Sequence, residues 1–175
     1  MAKDVREAVT GGKRALEALE EAIPGFGGYK RKEIRREADK LLRERLAGML
    51  KEVDGKIHGV YEDVVESKMT EHYELMNAVT AVMDKIIGKV ETADYGYAGF
   101  FSAIKVKEDA LDAVYDFDKA LFADVTEMEE KVDKLGEEVG EESDDVAKVA
   151  KELRAAIADF DKKFDKRKDV MLRLE

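Results

Sequence analysis

The chain has 175 residues, enough for one domain with a real core. Its 45% hydrophobic and 41% charged residues are not the composition of a disordered chain, and a formal charge of −10 argues for solubility and against general nucleic-acid binding. Cysteine is absent, which excludes disulfides, thiolate zinc sites and a cysteine nucleophile.

The first residues, Met1 to Glu7, hold four charges and no apolar h-region, so no signal peptide is expected. No uncharged apolar run approaches the roughly 20 residues of a membrane span. A cytoplasmic protein is the default expectation, and the many mixed charges are compatible with a thermophilic source. The helix formers Ala, Glu, Lys, Leu and Arg dominate, with a single proline.

The spacing predicts a first helix over about residues 3–22, with Val5, Ala8, Val9, Leu16 and Leu19 on its apolar side. Pro24 stops it, and Pro24 to Tyr29 form a loop. A second helix is expected over about 30–65. From Leu46 its apolar residues step by four, three, four, three, four to Val64, the spacing of a coiled-coil seam. The seam passes Gly48, Gly55 and Gly59 in phase, so these glycines lie within the helix, weakening it or admitting a close neighbour.

The phase breaks between Val64 and Met69, where a turn or sharp kink is favoured over a stutter in one continuous helix. A third helix over 69–93 carries Tyr73, Met76, Val79, Met83, Ile86 and Val90. A fourth, over about 107–135, has the stripe Leu111, Val114, Asp118, Leu121, Val125, Met128, Val132 and Leu135. Gly136 to Glu142 reads as a glycine- and glutamate-rich connection. Ser143 is a plausible N-cap for a last helix over 144–174. The expected fold is all-α: one domain, an elongated antiparallel bundle of heptad helices with no sheet.

Three features are candidates for function. The stretch Tyr95-Gly96-Tyr97-Ala98-Gly99-Phe100-Phe101 holds four of the 13 aromatic residues and no charge. With Tyr29 in its sister turn, it either inserts rings into a partner or, the favoured reading, reverses the chain and plugs one end of the bundle. The start of the second helix is basic. Residues 30–45 carry +4 against −14 for the rest of the chain. Lys32, Arg35, Arg36, Lys40 and Arg43 are the candidate anion-binding residues, for a phosphate-bearing ligand, an RNA backbone or an acidic lipid. A solvated, internally paired face is the commoner meaning of such a run. Last, Asp118 and Arg167 occupy seam positions. They either pair to fix helix register or, more commonly for such residues, sit at the seam edge and reach solvent.

Enzymatic readings find no support. His58 and His72 lack the Glu-x-x-His pattern of di-iron bundles, and there is no P-loop, Gly-x-Ser-x-Gly or dinucleotide-binding turn. No metal or cofactor is expected.

Pro24-Gly25-Phe26-Gly27-Gly28-Tyr29-Lys30, with Glu33, Arg35, Arg36, Asp39 and Lys40, is followed later by Asp94-Tyr95-Gly96-Tyr97-Ala98-Gly99-Phe100-Phe101. This order resembles an uncharacterised family of all-helical prokaryotic proteins, over about residues 24–135. The resemblance implies a helical fold and carries no activity. The functional expectation is a non-enzymatic interaction or scaffold module, a homo-oligomer or one docking a protein partner through heptad seams. The alternative is a bundle that binds an anionic small molecule near the basic helix start. Specific nucleic-acid binding is not expected, and peripheral membrane contact ranks below both.

Overall fold

The computed structural model describes the backbone of residues 35–93 and 108–172, and side chains over 41–93 and 116–167. The expected helix over 3–22 and the aromatic turns lie outside the described residues. Within them the chain is helical: α1 (Arg35–Glu66), α2 (Tyr73–Thr92), α3 (Glu108–Gly140) and α4 (Val146–Leu172), with a short 3-10 turn at Thr70–His72.

The seams read from the spacing form the core. Leu46, Leu50, Val53, Ile57, Val60 and Val64 of α1 are all buried, as are Met76, Val79, Met83, Ile86 and Val90 of α2. Leu121 to Leu135 on α3 and Val146 to Phe164 on α4 complete one continuous apolar cluster. Burying a Leu, Ile or Val side chain is worth about 1.5–3 kcal/mol, so the core far outweighs any contribution from surface charge.

The chain between α1 and α2 is a turn. The Met69 N–H donates to Val64 O at 3.1 Å and the Lys68 N–H to Val65 O at 3.1 Å. Lys68 sits at φ 57, the left-handed position that closes a Schellman motif. The α3–α4 turn repeats the device. Ser143 N–H donates to Glu138 O, Glu142 N–H to Val139 O, and Glu142 has φ 50. Ser143 Oγ then accepts the Asp145 N–H at 3.1 Å, capping the start of α4.

One expected boundary moves. The glycine- and glutamate-rich segment from Gly136 is not a connection: α3 continues through it to Gly140. Val139 extends the seam by one further step of four and is buried. Val60 Cγ2 would lie 3.4 Å from a Cβ placed on Gly136, so this glycine faces the neighbouring helix across an ordinary contact distance.

The helices form a square. α1 borders α2 and α3, and α4 borders the same two, leaving α1/α4 and α2/α3 at opposite corners. Cross-helix pairs give the directions. Lys51 meets Glu91, and Tyr61 Oη donates to Asn77, so α1 and α2 are antiparallel. Lys163 meets Asp124 and Arg167 meets Asp118, so α3 and α4 are antiparallel too. Between the hairpins the contacts are parallel: Lys56 meets Glu129 and Asp133, while Val60 meets Gly136. Two helical hairpins therefore stand side by side, and both short turns lie at the same end.

Candidate functional site

The end opposite the turns, the open end, is where Arg35, Thr92, Glu108 and Leu172 stand. Its described chemistry is set by charged residues on apolar seams. Asp118 and Arg167 are 1% and 2% exposed. Arg167 Nε donates to Asp118 Oδ1 at 2.6 Å and Nη2 to Oδ2 at 3.0 Å, a bidentate pair. This corrects the favoured expectation that both side chains reach solvent. Asp118 and Arg167 face each other across the antiparallel α3–α4 contact, so neither has a path outward.

Arg43, one of the five candidate anion-binding residues, is buried at 5% exposure. Running the α1 seam back from Leu50 and Leu46 by its four-three steps lands on position 43. That signal was available in the spacing, but the surrounding basic run drew the residue into a solvated stripe. The α1–α3 register places Arg43 level with Asp118, since Lys56 reaches Glu129 and Asp133. Arg35, Arg36 and Lys40 lie on the first turns of α1, where only the backbone is described. Lys32 lies outside the described residues, as do Tyr29, Tyr95, Tyr97, Phe100 and Phe101.

A cleft of about 330 Å³ opens between α1 and α2 beside Arg43, floored by Ala47, Gly48 and Val90 and rimmed by Glu44, Lys51 and Glu91. Lys51 Nζ is 2.5 Å from Glu91 Oε1 across its mouth. A second groove, of about 360 Å³, lies between α3 and α4 over Phe160. Lys163 bridges it to Asp124 with two bonds, at 2.6 and 2.8 Å.

The histidines do local work. His58 Nδ1 donates to the Asp54 carbonyl at 3.0 Å, and His72 lies 3.9 Å from Glu71. Asp54 is more telling, because its Oδ1 is buried with no hydrogen-bond partner. Burial pushes its pKa up; His58 pulls the other way and the Asp84 carboxylate adds to the rise. Among the described residues no three His, Asp or Glu side chains converge as a metal site, and no helix is long and apolar enough to cross a membrane.

No protein-family model matches the chain, and neither a curated protein nor a solved structure matches it.

Proposed function

We propose that the chain is a non-enzymatic helical interaction or scaffold module of the cytoplasm, which self-associates or docks a protein partner from the open end of its bundle. The observation that carries this reading is the asymmetry of the two ends. One end is closed by two short capped turns. The chain on either side of the described residues, and the whole α2–α3 connection, joins the bundle at the other. The described seams are buried within the chain, and Val65 is the exposed large hydrophobic among the described residues. An interface therefore has to draw on the open end or on polar faces. Light scattering and chemical cross-linking of the full chain test the self-association arm. A strictly monomeric mass over a wide concentration range removes it.

A second reading, binding of an anionic small molecule, is favoured by the cleft beside Arg43. Arg43 and Lys51 both line it, and a guanidinium withdrawn from bulk water holds a carboxylate or phosphate more strongly than one at the surface; Arg167 is already committed to Asp118. Thermal-shift measurements with inorganic phosphate and nucleotides test it. A stabilisation that is absent from Arg43→Met supports this reading, and the absence of any shift disposes of it.

A further inference from the structure

Four seams of one kind can close into a square in more than one way. In this protein α1 borders α3 and α2 borders α4, both in parallel, with α2 and α3 at opposite corners. The alternative square sets α2 beside α3 and makes every neighbouring pair antiparallel. The length of the connection permits both. Residues 94–107 lie between the two helices, and a chain of that length spans up to about 46 Å, several times the ~8–10 Å between packed axes. Most apolar layers are alike, since all four seams offer Leu, Val, Ile, Met or Phe, with Arg43, Asp118 and Arg167 the buried exceptions near the open end.

Charge does distinguish them. On the α1–α3 contact, Lys56 Nζ lies 2.9 Å from Glu129 and 2.7 Å from Asp133, two carboxylates one helical turn apart. On the α2–α4 contact, Lys89 binds Asp161 and lies 2.6 Å from Asp165, again one turn apart, with Lys85 3.1 Å from Asp161. The same device, a lysine held between carboxylates at i and i+4 of its neighbour, occurs on each parallel contact. On the antiparallel contacts a lysine meets one carboxylate of its neighbour instead, as Lys51 does Glu91 and Lys163 does Asp124. Without the lysine, each acid pair is a like-charge pair on one helix face, which destabilises that helix. The alternative square therefore loses an attraction and keeps a repulsion at two places.

We infer that the two lysine clamps, Lys56 on Glu129/Asp133 and Lys89 on Asp161/Asp165, select the side-by-side parallel arrangement of the hairpins against the all-antiparallel one. The chain has no cysteine, so a designed pair reports the arrangement cleanly. Val60→Cys with Gly136→Cys spans the α1–α3 contact, where the Gly136 Cβ position is 3.4 Å from Val60 Cγ2. The readout is the disulfide-forming equilibrium of this pair in a glutathione buffer, with helicity followed by circular dichroism. Adding Lys56→Glu and Lys89→Glu is expected to lower that equilibrium about tenfold, the equivalent of about 1.4 kcal/mol. Exchanging the clamps, with Glu129, Asp133, Asp161 and Asp165 changed to Lys and Lys85 to Glu in the same chain, is expected to restore it. An undiminished equilibrium in the double lysine variant overturns the inference. If that variant loses its helicity, the exchanged chain decides. Recovery of both helix and cross-link supports the selection, and failure of either one overturns it.

Discussion

Asp118 shows how much one side chain can carry in this bundle. It accepts two hydrogen bonds from Arg167 with both groups out of solvent. Asp118→Leu takes that carboxylate from a buried guanidinium, and urea titration should show a loss of about 3–5 kcal/mol. The double change Asp118→Leu with Arg167→Met should recover part of it, because an apolar pair of similar volume fits a seam layer while Arg43 stays buried at the same level. Lys68 and Glu142 present the reverse case. Both hold the left-handed conformation that glycine adopts without a Cβ clash. Lys68→Gly and Glu142→Gly should each stabilise by about 1 kcal/mol, read as a higher denaturation midpoint, while alanine at either position should bring no gain. Asp54 supplies a pH dependence. Its folded pKa is raised above the ordinary 3.8, first by burial. It therefore contributes stability below that value and loses it as pH rises through the folded pKa. Asp54→Asn should raise the melting temperature near pH 7 and leave it almost unchanged near pH 3. Asp161, held low chiefly by its hydrogen bond to Lys89, has the opposite sign. Its contribution is present above 3.8 and lost as pH falls through the depressed value, so acid loosens the α2–α4 contact while it relieves Asp54.

At the scale of the element, α1 is a helix of 32 residues with three glycines in its interior. A Cβ on Gly48, Gly55 or Gly59 meets nothing within 4 Å. The idea that they admit a close neighbour therefore has no support within the described residues, and what remains is their weakening of the helix. Gly55→Ala with Gly59→Ala should stabilise the chain by about 1–2 kcal/mol in total, measured by thermal or urea unfolding. The helices themselves were largely legible in the sequence. Apolar steps of three and four from Leu46 to Val64 mark a face, and that face is the buried one. What misled at Gly136 to Glu142 was local composition. Glycine and glutamate read as a loop, whereas Val139 continues the seam and Glu142, not a glycine, makes the left-handed turn. Propensity speaks of the average environment, and here burial of Val139 outweighed it. The burial of Arg43 is masked in the same way, its seam position hidden by the basic residues around it.

For the whole molecule, the choice of neighbours was not legible. A heptad states which face of a helix is buried and leaves open against which helix. The parallel contact of α1 with α3 joins residues about 75 apart in sequence, such as Lys56 with Glu129 and Asp133, and no local pattern announces it. The Asp118–Arg167 pair was visible as two charges on two seams, yet choosing between mutual pairing and escape to solvent needed the α3–α4 register. The aromatic turns and Lys32 lie outside the described residues, and Arg35, Arg36 and Lys40 are described in their backbone alone, so of the candidate site only Arg43 acquires a described side-chain environment.

The placement of both turns at one end has a mechanical corollary. Arg35, the first residue of α1, and Leu172, the last of α4, stand at the other end on opposite corners of the square. Tension drawn between them does not slide one helix along another against the whole seam at once. It opens the bundle like a zip, layer after layer from the Arg43 and Asp118 level toward Lys68 and Glu142. A core of continuous apolar layers is in this direction soft to a pull, and its resistance at any moment is that of the single layer at the fork.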